Sequence, residues 1–311
     1  MALAKLLDPT NDFIFKTIFG TERHKLLLLH FLNDMLEREG EKKIKEVSFL
    51  SPLQAPETKG GKQSVVDLLC KDAEGDQYIV EMQVARVSNF SKRAQYYAAK
   101  IYANQIIEGD PYEHLKSVIF LAVTDFALLP GSDYYHSIHE ICNSKTKKCD
   151  LQELSFSFLE LPKFKKKLHE LETNLERWAY FFKHASQAEP YEIQELTTQN
   201  PIFGIAYQAL ERSQWTRSEL ALYDHHLKKR RDEYGEWLAA VEDAEIKGRE
   251  EGREEGIQEG LEKGLQQGIE EGRNQEKRQI AQQLLKKGLS LEAIEEITGV
   301  RLPSTEPSIW S

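Results

Sequence analysis

Asp67, Glu81 and Gln83 stand in the stretch VVDLLCKDAEGDQYIVEMQVA, residues 65–85, among residues apolar enough to line both faces of two strands. Side chains alternate along a strand, so Asp67 shares a face with Val65 and Leu69, and Glu81 and Gln83 share one with Ile79. With DAEGD as the connection of a hairpin, Lys71 pairs with Gln77. Asp67 then falls opposite Glu81, with Cβ atoms about 5 Å apart. Like charges facing each other destabilise a sheet, and a shared low-dielectric site raises one carboxyl pKa. A divalent cation removes both difficulties, and Mg²⁺ in particular binds through one or two carboxylates plus substrate phosphate and water. The plain alternative is the solvent-facing side of an ordinary hairpin. Val65, Leu69 and Ile79 on the same face weigh against it.

A second group follows at helical spacing. In NFSKRAQYYAAKIYANQIIEG, Arg93, Tyr97, Lys100 and Asn104 fall at i, i+4, i+7 and i+11, one face of a helix. Such a face suits DNA phosphate, with Arg93 able to bind bidentately; the competing reading makes the tyrosines core aromatics and leaves the basic heads in water. The formal charge of −10 excludes a protein that grips nucleic acid by overall positive charge, so a polyanion must be met locally. SKRAQYYAAK and KFKKK, Lys163 to Lys167, are the basic clusters available.

The elements that position these residues are legible from punctuation and period. DPTNDFIFKTIFG reads as a short helix with Asp8 as cap, Pro9 in the first turn and Gly20 as stop. TERHKLLLLHFLNDMLEREG reads as a second helix ended by Gly40, followed by a strand near 45–50 and the loop SPLQAPETKGGK. After the hairpin comes the Arg93 helix, closed by Gly109, then the strands LKSVIFLAVTDF, HSIHEICN and LQELSFSFLEL. Helices beside a mixed sheet make an α/β or α+β domain to about residue 165, and from Leu168 onward the pattern is helical. We therefore expect a sheet domain over 1–165, a helical middle region over 166–235 and a tail over 236–311.

Cys70, Cys142 and Cys149, odd in number and scattered, suggest reduced thiols. His136, His139, Cys142 and Cys149 do not converge as a zinc site, since on a strand His136 and Cys142 face away from His139. The longest apolar run, Leu26 to Leu29, is far below the ~20 residues that span a bilayer. The N-terminus lacks the pattern of a secretory signal. Both point to a cytoplasmic protein with no membrane partner.

In the tail, glycine recurs every fourth residue from Gly248 to Gly272, seven in all. Seven glycines cost a helix about 6 kcal/mol relative to alanine. Each step of four turns about 40° beyond a full circle, so the glycine line winds around the helix, and helices following it cross in the right-handed sense. That favours self-association with a second copy; the alternative is a solvated charged helix or linker. Beyond it, Gly288 and Ser290 mark a turn and a short acidic helix, better suited to capping or oligomer contact than to reading a DNA groove.

Asp67, thirteen residues, then Glu81-Met82-Gln83 resembles the PD-(D/E)XK nuclease core with Gln in place of the usual Lys. Together with NDFIFKTIFG, KRAQYYAAKIYANQIIEGDPYEHLK, SVIFLAVTDF and the glycine tail, the chain resembles the Rpn family of recombination-promoting nucleases, also described as transposases. The resemblance covers about residues 8–130 and recurs in the tail. It implies a restriction-endonuclease-like mixed sheet flanked by helices, and a divalent-metal-dependent DNA endonuclease acting in recombination. Mg²⁺, Mn²⁺ or Ca²⁺ would be the ion. Asp67 and Glu81 would then ligate it, the Met82 carbonyl could add a ligand, and Gln83 would stand where Lys positions the attacking water. Asp12 is a weaker candidate for an acid supplied by the first helix. The rival reading is an inactive nuclease-like module that binds DNA or protein and self-associates through its tail.

Overall fold

The structure, a computed structural model, describes residues 5–54, 64–86 and 89–303; the rest of the loop SPLQAPETKGGK lies outside them. Helix α1 (Asp12–Phe19) starts at Asn11, whose side chain accepts from the Phe13 and Ile14 N–H groups and satisfies donors that a helix start leaves open. Asp8, the expected cap, instead takes the Thr10 N–H and hydroxyl on its Oδ1. Gly20 closes the helix by donating to Lys16 O. Helix α2 (Lys25–Met35) ends before Gly40, because Glu37 already turns the chain at φ 51°. The Asn33 amide then ties the returning chain at Ile44, donating to its carbonyl at 2.9 Å and accepting its N–H at 2.8 Å.

The strands are β1 (Val47–Phe49), β2 (Leu53–Gln54), β3 (Ser64–Val65), β4 (Leu68–Asp72), β5 (Gln77–Gln83), β6 (Val118–Thr124), β7 (His136–Ile141) and β8 (Leu151–Glu160). Six form one mixed sheet in the order β1-β4-β5-β6-β8-β7, with β5–β6 and β6–β8 parallel and the other pairs antiparallel. β2 and β3 pair separately. Helix α3 (Phe90–Ala103) is the crossover between parallel β5 and β6, as such a connection requires. It stops before Gly109, which sits at φ 98° in the following turn.

Both faces of the sheet are covered, so β6 is buried along its whole length. On one face, Ile79, Phe120, Ala122 and Phe158 meet Phe90, Ala94, Ala98 and Ile101 of α3. On the other, Tyr78, Val80, Leu121 and Leu159 meet α1, α2 and the later helices α4 (Asn174–His184), α5 (Pro190–Gln199) and α6 (Ile202–Leu210). The core therefore runs past residue 165: Trp178 of α4 packs on Phe19, Phe31 and Phe203. Residues 1–231 form one compact unit and 232–311 a second.

Helix α7 (Arg217–Lys286) contains all seven repeat glycines. In the second unit, Gly288 (φ 87°) makes the turn and Ser290 caps α8 (Leu291–Thr298) through the Ala293 N–H. No helix among the described residues is long and apolar enough to cross a membrane. The thiol expectation needs correction: Cys142 and Cys149 form a disulfide across the β7–β8 connection, which brings residues seven apart into contact, and Cys70 alone is free and buried. The disulfide also occupies the sulfurs that a zinc cluster would need.

Candidate active site

The chain leaves β3 at Val65 and re-enters the sheet at Leu68, so Asp67 stands just outside the ladder at a break between two strands. The hairpin register is Lys71↔Gln77 through Leu68↔Val80, and one further step brings Asp67 beside Glu81. Two reciprocal bonds lock them there. The Asp67 N–H donates to Glu81 Oε1 at 3.1 Å, and the Met82 N–H donates to Asp67 Oδ2 at 3.0 Å. Glu81 is 4% exposed, although it is a carboxylate on a central strand.

Two cations flank the pair from opposite elements. From α1, Lys16 Nζ lies 2.9 Å from Asp67 Oδ1 and 2.8 Å from Asp12. From α3, Arg93 Nη2 lies 3.6 Å from Glu81 Oε2 and donates to Gln83 Oε1 at 2.5 Å. The Arg93 guanidinium also covers the Phe90 and Tyr97 rings, at 4.8 and 5.9 Å. Its Nε is buried with no hydrogen-bond partner among the described residues, a donor short of an acceptor.

Burial pushes the Glu81 carboxyl up, the neighbouring Asp67 charge adds to it, and Arg93 offsets only part; the result is about 8. Burial raises Asp67 as well, opposed by Lys16. Glu81 is thus the member that holds a proton at neutral pH when no further cation is present. An acid with a raised folded-state pKa supports folding below its unfolded value and loses that support as pH rises through the folded one. Without divalent ions, stability should therefore fall between pH 4.5 and about 8 through this group. Glu81→Gln removes that slope. Thermal melts in chelator should show the variant gaining on wild type by about 2–4 °C for each kcal/mol across that window; parallel Tm curves would contradict the assignment.

A family model described as PD-(D/E)XK nuclease family transposase matches residues 9–240. The chain belongs to this family. No curated protein and no solved structure matches it. Membership supports a nuclease chemistry on DNA, and PD-(D/E)XK nucleases generally use divalent metal ions. The residues present fit such an ion: the donors are carboxylate oxygens, which suit hard cations, and one of them is so deeply buried that it keeps its proton unless positive charge arrives.

The structure brings four of the candidate residues together. Asp67, Glu81, Gln83 and Arg93 form one group. Gln83 is turned toward α3 and its own loop, accepting from Arg93 and donating to Ala85 O at 3.1 Å. Tyr97 is half-buried beneath Arg93. Lys100, two turns further along α3, is 8% exposed and engaged within the protein. Asn104 caps the end of α3. Asp12 reaches the pair only through Lys16. Lys16 itself was missed by the sequence reading; its signal was the Asp12–Lys16 spacing of four in NDFIFK, which puts both on one helix face.

Proposed function

We propose that the protein is a divalent-metal-dependent DNA endonuclease, hydrolysing phosphodiester bonds in the course of DNA recombination, with Mg²⁺ as its working ion. The observation that carries this is the reciprocal bonding of Asp67 and Glu81, which holds two acids together in a buried place where both could ionise only beside added positive charge. An ion held there would supply Lewis acidity toward the attacking water and positive charge beside the phosphoryl group. Asp67 and Glu81 would hold that ion, and the Met82 carbonyl could add a further oxygen. Gln83 fixes Arg93, and Arg93, stacked over Tyr97 and 29% exposed, would present the accessible part of its guanidinium to the phosphate. Full-length protein should nick supercoiled plasmid in Mg²⁺ and stop in chelator. No cleavage at any Mg²⁺ concentration, with plasmid still bound, would favour the inactive-module reading.

The tail serves self-association in this account, pairing two sites to cut both strands in the cytoplasm. Support comes from the repeat glycines of α7: a Cβ at any of the seven from Gly248 to Gly272 meets nothing within 4 Å, so nothing among the described residues requires glycine there. Replacing Gly256, Gly260 and Gly264 by alanine should strengthen the isolated helix by about 0.8–1 kcal/mol each and dissociate the oligomer in sedimentation equilibrium. An oligomer unchanged or tightened by the three alanines would contradict the close approach.

A further inference from the structure

Gln83 is neutral and committed to Arg93 and Ala85, and Arg93 is committed to Gln83, Glu81 and two aromatic rings. On the Asp67 side, the cation among the described residues is Lys16. Its helix is anchored rigidly, since Ile14, Phe15, Ile18 and Phe19 are all fully buried. Its ammonium is not: the side chain remains 37% exposed. It also has two carboxylate partners at nearly equal distance, Asp67 at 2.9 Å and Asp12 at 2.8 Å, and Asp12 is half in solvent. Asp67 Oδ2 is occupied by the Met82 N–H, so Oδ1, the oxygen Lys16 holds, is the one free to change partner.

We propose that Lys16 is the exchangeable cation of this site: it neutralises Asp67 when no metal is bound, yields Oδ1 to an incoming divalent cation, and, kept in place by Asp12, presents its ammonium to the DNA phosphate being cut. The inference rests on the nuclease reading and adds to it a residue and a direction of competition. Two like charges cannot share Oδ1, so Lys16 opposes metal binding. A positive charge aimed where phosphoryl charge develops accelerates cleavage. One side chain therefore acts with opposite sign on the two steps.

Lys16→Met in the full-length chain separates them. Titration calorimetry with Mn²⁺ should give a dissociation constant about fivefold lower than wild type, the scale of a half-exposed ion pair. Single-turnover cleavage of a duplex at saturating Mg²⁺ should fall about 100-fold, and Lys16→Arg, which keeps the charge, should recover part of it. Mn²⁺ binding that is unchanged or weaker in Lys16→Met would overturn the exchange and assign Lys16 a purely structural part; cleavage at the wild-type rate would overturn its contact with phosphate. Failure of the nuclease reading has a different signature. Wild type then leaves duplex uncut in Mg²⁺ and Asp67→Ala binds Mn²⁺ like wild type, which overturns the Lys16 proposal with it.

Discussion

Asp67→Ala and Glu81→Ala should each leave supercoiled plasmid uncut under conditions in which wild type is expected to nick it, a loss of about 10³-fold or more in rate. The magnitude follows from what each side chain holds. Removing one carboxylate would take away half of the carboxylate charge proposed to hold the ion, and one correctly placed electrostatic group alone is worth ~10²–10³ in rate. Each truncation also leaves a partner stranded: without Glu81 the Asp67 N–H loses its acceptor, and without Asp67 the Met82 N–H loses its own while Lys16 is left with Asp12 alone. Because both acids are proposed to act on the same ion, their losses should not add, and the double variant should be no slower than the slower single one. The checks are initial nicking rates for all three variants, with circular dichroism to confirm that each is folded. Nicking by both single variants at the wild-type rate would remove these residues from the chemistry.

Trp178→Ala should be the most damaging substitution away from the site. Trp178 is fully buried, its ring lies 4.7 Å from that of Phe203 and 5.6–5.9 Å from those of Phe31 and Phe19, and its Nε1 donates to Asp34 Oδ2 at 2.8 Å. Truncating such a residue costs about 3–5 kcal/mol. Burial already raises the Asp34 carboxyl, and the Trp178 hydrogen bond is the strongest group opposing that rise, so the variant also leaves an acid short of a donor. Against a total stability of ~5–15 kcal/mol, Tm should drop by about 10 °C or more. The site should be lost with it, because Phe19 and Phe31 seat α1 and α2, and α1 carries Lys16 and Asp12. A chain ended after residue 165 should likewise fail to unfold cooperatively, since the rings of α4 and α6 complete the core beneath the sheet. A cooperative melt for that shorter chain, or a Trp178→Ala Tm within a few degrees of wild type, would show that the helical part is an accessory.

The hairpin was legible because two local rules agreed. Period-two alternation fixed the faces, and the five-residue turn fixed the register, so the meeting of Asp67 with Glu81 followed from counting. The break at Asp67 was not legible, since residues 65–71 read as one continuous strand, whereas the chain changes sheets there and frees the Asp67 N–H to bond a side chain. Helical spacing put Arg93 and Lys100 on one face correctly, but spacing says nothing of depth: α3 lies on the sheet, and that packing buries Lys100 while leaving Arg93 at the edge of the acids. Lys16 and Asp67 are fifty-one residues apart, and only the docking of α1 on β5 brings them together. Asn11 outcompeted Asp8 as a cap because two backbone donors lay within its reach. The union of α4 with α1 and α2 is likewise tertiary, a consequence of which apolar stripes found each other rather than of any stripe alone.

Crystals of the full-length protein grown with Mn²⁺ and measured at the metal's absorption edge test the account at its centre. A strong anomalous peak at bonding distance from one oxygen each of Asp67 and Glu81, absent from Asp67→Ala crystals, is the result these residues predict. Peaks only elsewhere, or the two carboxylates still bonded to Lys16 and Arg93 at saturating Mn²⁺, would contradict it.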